Sequence, residues 1–163
     1  MSSARVMQLR SRWMTVLLIG GVAAGCAGRS GPLHQAVDAG DNRRIEQLIA
    51  DGADLEAKEY THGETALHVA AEHGRDEVAE VLLEGGADVD NRRSFDGQTT
   101  LHPVAFEGYR SLAELLVFHN ADVNARDAEA HTPLHFAVLK NNAAVAKLLA
   151  DRGATVRGDF QCA

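Results

Sequence analysis

"ETALHVAAEHGRDEVAEVLLEGGADVD", residues 64 to 90, sets two short apolar segments between glycines, and its reading decides how the chain folds. In the second segment Val78, Val81, Leu82 and Leu83 fall on one side of a 3.6-residue period, the pattern of a helix with one buried face. Gly74 and Gly86 close the two segments, because a helix commonly ends on a residue in the left-handed region that glycine enters freely. Thr65 opens the first, where its hydroxyl can accept from the free N–H groups of the first turn. The spacing therefore predicts helix, turn, helix, then an extended loop. His68 lies three residues past the cap, where a side chain reaches back to it as Glu or Gln does in a capping box.

The same unit recurs along the chain. Leu-His stands at Leu33-His34, Leu67-His68, Leu101-His102 and Leu134-His135, spaced 34, 34 and 33, and a period of that length marks stacked supersecondary units. Six residues after each histidine comes Gly40, Gly74, Gly108 or Asn141, and eighteen after it Gly52, Gly86, Asn120 or Gly153. Thr99 and Thr132 repeat the cap of Thr65, while Pro32 and Pro133 take a first helical position, where no N–H is missed. Four imidazoles in register at a helix cap argue that His34, His68, His102 and His135 hold structure rather than perform catalysis or bind metal. One such unit buries too little apolar area to offset its ordering entropy, so neighbours have to share a core.

"TALHVAAEHG", "VAEVLLEGGADVD", "TPLHFAVLKNN" and "VAKLLADRGA" resemble the ankyrin repeat, with its Thr-Pro-Leu-His start and Gly-Ala-Asp ending. The resemblance covers residues 31 to about 157 and implies an all-α solenoid of four helix-turn-helix repeats, at 31–62, 63–96, 97–129 and 130–157. It also implies β-hairpin-like loops projecting at right angles, a concave face built from first helices and hairpins, and motif histidines that link neighbouring repeats through backbone hydrogen bonds. Three positions depart from the pattern. Arg44 stands where Val78, Leu112 and Val145 are apolar, as suits an outer face with no preceding repeat. Pro103, at the fourth helical position, forfeits the first intrahelical hydrogen bond and puts the opening turn of the third repeat in question. Ala130 replaces the hairpin glycine of Gly63 and Gly97, so the last hairpin is expected to differ.

The first residues follow another plan. Arg5, Arg10 and Arg12 precede the apolar "WMTVLLIGGVAAG", residues 13 to 25, the layout of an export signal. As a helix it would reach about 20 Å, short of the roughly 30 Å hydrocarbon layer, which disfavours a permanent span. Ala23-Ala24-Gly25-Cys26 resembles the lipobox of bacterial lipoproteins, which implies cleavage before Cys26 and acylation of its thiol. Cleavage after Ala24 is the alternative, giving a soluble periplasmic protein. Ala27 is not the aspartate that retains many lipoproteins at the inner membrane, and the resemblance points to the outer membrane, facing the periplasm. The expected organisation is a signal at 1–25, a lipidated tether at 26–30, the repeats at 31–157 and a tail at 158–163. Acylation of Cys26 would leave Cys162 as a single thiol, an incidental tail residue or an intermolecular partner.

The whole chain of 163 residues carries −7, and loss of residues 1 to 25 leaves 13 basic against 23 acidic side chains, or −10. That balance disfavours nucleic acid and favours a protein partner with a basic surface. Loops on a rigid scaffold concentrate function. The candidate contact residues are accordingly Tyr60, His62 and Glu64 on one hairpin, Arg92, Arg93, Phe95, Asp96 and Gln98 on the next, and His131 on the last. The resemblance adds the positions after the motif histidines that face the concave side, Glu72, His73, Phe106, Glu107, Leu139 and Lys140. Phe106 and Leu139 are large apolar groups expected to be wet, the anatomy of an interface. No nucleophile, phosphate loop or metal set is identifiable, so neither cofactor nor small-molecule substrate is expected. The reading is a non-enzymatic binder anchored in the bacterial envelope, an immunity or inhibitor protein for a periplasmic toxin or enzyme. The alternatives are an envelope scaffold or accessory factor, and an enzyme using His73 with Glu72 or Glu107.

Overall fold

The computed structural model describes residues 31–155; the export-signal, Cys26 and Cys162 readings lie outside the described residues. Eight helices follow in order, α1 Pro32–Ala39, α2 Asn42–Ala50, α3 Ala66–Glu72, α4 Asp76–Glu84, α5 Leu101–Glu107, α6 Arg110–Phe118, α7 Pro133–Leu139 and α8 Ala143–Asp151. Each odd helix packs on the even helix after it, and the odd and even helices form two separate layers, α1-α3-α5-α7 and α2-α4-α6-α8. There is no strand among the described residues, and none of their helices is long and apolar enough to cross a membrane.

Period and core agree because the repeated apolar positions meet in one continuous interior. Leu67, Leu82, Leu101, Leu112, Leu116 and Leu149 are fully buried in it. Arg44 is exposed where Val78, Leu112 and Val145 are buried, so the first repeat does present a polar outer face. The opposite end is not finished in the same way. Val37, Ala71 and Ala105, each three residues after a motif histidine, are 0% exposed, whereas Val138 at the same place in α7 is 60% exposed.

All eight helix stops read from the spacing adopt positive φ, the two asparagines Asn120 and Asn141 included. At Gly74 a second cause operates. A Cβ there would stand 2.8 Å from the Tyr109 ring, because from α4 on the residue opening each even helix docks on the end of the odd helix one repeat earlier. Arg75 does so by donating from Nη1 and Nη2 to the Val37 and Asp38 carbonyls at 2.7 and 2.8 Å. Asn142 donates from Nδ2 to the Ala105 and Phe106 carbonyls at 2.9 and 2.8 Å.

Pro103 does not abolish its turn. In the second repeat Val69 N–H donates to the Thr65 carbonyl; in the third, His102 N–H donates to the Thr99 carbonyl at 3.1 Å. The fourth repeat makes the same tighter bond, from His135 N–H to the Thr132 carbonyl at 2.9 Å, with Phe136 in place of the proline, so the turn at Pro103 is one the fold also uses elsewhere, and α5 starts at Leu101. Ala130 takes φ 65°, so the last hairpin keeps the left-handed turn without its glycine. It is also shorter: Asp127 N–H donates to the His131 carbonyl, against Glu59 to Glu64 and Arg93 to Gln98 in the two before it.

Candidate functional site

The motif histidines come first, because they resemble a catalytic set most. His34 Nε2 donates to the Glu64 carbonyl at 3.0 Å, His68 Nε2 to that of Gln98 at 3.3 Å and His102 Nε2 to that of His131 at 3.2 Å, each reaching into the next repeat. The Nδ1 of His68, His102 and His135 accepts from the backbone N–H of Thr65, Thr99 and Thr132. An imidazole that accepts at Nδ1 and donates at Nε2 is neutral, with its proton on Nε2. Burial pushes His68 down to about 4 and lowers His102 and His135 from their ordinary value as well. Both nitrogens of His68 and His102 are committed, so neither ring has a lone pair for a metal or a proton to relay.

Two further ladders tie the loops. Glu56, Asp90 and Asn124, 34 residues apart, accept from the backbone N–H of Asp88, Asp122 and Thr155 at 2.7, 2.9 and 2.9 Å. Lys58 Nζ donates to the Arg92 carbonyl at 2.6 Å, and Arg92 Nη1 to the carbonyls of Gly97, at 3.0 Å, and Arg126. Arg92, expected among the contact residues, therefore also serves as a strut between hairpins.

The other expected contact residues divide into two groups. Tyr60, Phe95 and Leu139 are 94%, 82% and 74% exposed, the first two near hairpin tips and the last at the end of α7. His62 and Lys140 are exposed and His131 half-buried. Glu64 and Arg93 differ from the expectation of open contacts. Glu64 is 6% exposed, and Arg93 Nη1 donates to its Oε1 at 2.6 Å and to Glu72. Arg93 Nη2 donates to Asp96 and Gln98 at 2.8 and 2.9 Å. One guanidinium thus fastens the second hairpin to α3 and to the start of the repeat. Burial raises the Glu64 carboxyl from its usual range, and the contact with Arg93 offsets part of that rise.

Above this cluster lies an open pocket of about 410 Å³ lined by Glu72, His73, Arg93, Gln98, Pro103, Phe106, Glu107 and Phe136. Six of these eight are expected contact residues, drawn from α3, α5 and the second hairpin. Phe106 is half-buried rather than fully wet, because it meets Phe136 edge-on at 6.2 Å between ring centres and carries Lys140 Nζ 4.1 Å from its own. Phe136 was not singled out from sequence. Its signal is an aromatic directly after motif His135, where Val69 and Pro103 stand, and it also meets the rings of His102 and His131 edge-on.

Glu59, His62 and Glu64 bring three ligand-type atoms within 4.8 Å of one another. The Arg93 guanidinium on Glu64 opposes a cation there, and Glu59 Oε1 already accepts from Thr61. Glu72 and His73 do not join a comparable group among the described residues.

A search of curated proteins finds no match to this chain. The family description "Ankyrin repeats (3 copies)" matches residues 10–93 and 86–158. With eight helices paired in two layers and imidazole links between successive pairs, the chain belongs to the ankyrin-repeat family, whose stacked repeats form protein–protein interaction modules.

Proposed function

We propose that the chain is a non-enzymatic binder, tethered to a bacterial envelope membrane through an acylated Cys26, that captures one basic-surfaced protein partner on the face of its odd helices and hairpins. Its role is that of an immunity or inhibitor protein for a periplasmic toxin or enzyme. The observation that carries the reading is convergence: residues from α3, α5, α7 and the second hairpin line one open pocket with both acidic and aromatic side chains. Tyr60 and Phe95 near the hairpin tips and Leu139 at the end of α7 are exposed and supply the apolar anchors that protein interfaces concentrate. Chemistry has less to work with, since the imidazoles of His68 and His102 are committed at both nitrogens and Glu72 is held by Arg93.

Crosslinking the intact chain in its native envelope tests the partner. One stoichiometric protein, lost on Phe106→Glu, supports capture; many weak partners that ignore the substitution favour a scaffold. The family match begins at residue 10, inside the stretch read as an export signal, so the anchor needs its own measurement. Mass spectrometry of the mature protein is expected to find an acylated cysteine as first residue, and an unprocessed Met1 would remove the envelope assignment.

A further inference from the structure

We propose that the pocket between α3, α5 and α7 is a subsite for one cationic side chain, arginine or lysine, of the protein partner. The inference deepens the binding reading and rests on it. Its first support is charge. Arg93 is the cation in the lining, yet it is met by three carboxylates, Glu64, Glu72 and Asp96. That leaves two negative charges uncompensated; Glu107, exposed at the end of α5, adds a third, and Lys140 over the Phe106 ring offsets one, so the surroundings stay net negative. Such a cluster beside low-dielectric walls focuses a negative field into the opening.

The walls are the second support. Phe106 and Phe136 stand edge to face along one side, and an aromatic ring attracts a cation within about 6 Å of its centre. The chain already makes that contact with its own Lys140, whose Nζ lies 4.1 Å from the Phe106 centroid. A volume of about 410 Å³ accommodates a long side chain, with its methylenes against Phe106 and Pro103 and its charged head toward Glu72 and Glu107. A purely apolar side chain satisfies only the walls, and an acidic one is opposed both by the field and by the ring faces.

The test uses the intact chain and two probes, Nα-acetyl-arginine amide and Nα-acetyl-glutamate amide, titrated while NMR follows the Phe106, Phe136 and Gln98 signals. The arginine probe is expected to shift all three saturably, and the glutamate probe none. Phe106→Ala and, on the exposed surface, Glu107→Lys are each expected to weaken arginine binding about tenfold. Since Glu107 is exposed, Glu107→Lys keeps the test valid should Phe106→Ala fail to fold. Equal response to both probes, or an affinity untouched by Glu107→Lys, overturns the subsite. Partner capture in the crosslinking experiment without arginine binding overturns the subsite alone; arginine binding without any captured protein overturns the partner reading instead.

Discussion

At the scale of single residues, His68 shows how a group suited to chemistry is spent on cohesion. Its ring is fully buried, its folded-state pKa is about 4, and an unfolded histidine titrates near 6.5. The unfolded chain therefore binds the proton first as pH falls. Stability is full above about pH 6.5 and declines toward pH 4, with His68 alone removing about 2 kcal/mol by pH 5. His102 acts in the same direction. Urea unfolding at pH 7.5 and pH 5 is expected to give a lower midpoint at pH 5 with an unchanged slope. Ala130 supplies the opposite lesson: a side chain at φ 65° where two other hairpins use glycine. Ala130→Gly is expected to raise unfolding free energy by about 1 kcal/mol, because the left-handed region costs an L-residue roughly that much. The histidine role was legible because its spacing from Thr65, Thr99 and Thr132 is local. The Arg93 cluster was not, since residues 64, 72 and 93 meet only when a hairpin folds over a helix.

At the scale of elements, the stop after each odd helix is also a socket for the next repeat. The sequence displays Gly74 and Gly108 but hides the socket, because the inserted residues, Arg75, Tyr109 and Asn142, share no side-chain type. Asn141, at the same position in the last repeat, carries its side chain at φ 59°. Gly74→Ala combines a left-handed alanine with a Cβ 2.8 Å from the Tyr109 ring. We expect a loss of about 3 kcal/mol, against about 1 kcal/mol for Gly86→Ala, which has positive φ but no neighbour within 4 Å. Pairing Gly74→Ala with Tyr109→Ala should recover part of the difference in urea melts; strict additivity would remove the socket. Pro103 belongs here too, for the expected disruption of its helix is absent: its first turn closes with the same bond as the fourth repeat, which has Phe136 at that position.

At the scale of the whole molecule, three ladders of imidazole, carboxylate or amide, and basic side chains run between neighbouring repeats above one aliphatic core. The spacing of the Leu-His pairs and of the Gly and Asn stops made the solenoid readable, while the pocket, which depends on Phe136 arriving beside Phe106, was not. In such a stack most stability resides at interfaces. Leu82, fully buried on α4, a helix that packs on α2, α3 and α6, is a sensitive probe. Leu82→Ala is expected to cost about 2 to 5 kcal/mol by urea melt, and a loss below about 1 kcal/mol would contradict its placement. Cohesion through neutral imidazoles is the claim on which the rigid binding face depends. Long-range ¹H–¹⁵N NMR of the four motif histidines from pH 8 to 3.5 tests it most directly. His68 and His102 are expected to remain neutral with the proton on Nε2, His68 down to about pH 4, and to be unmoved by zinc. Titration of either ring near 6.5 in the folded chain, a proton on Nδ1, or a zinc-induced shift would contradict it.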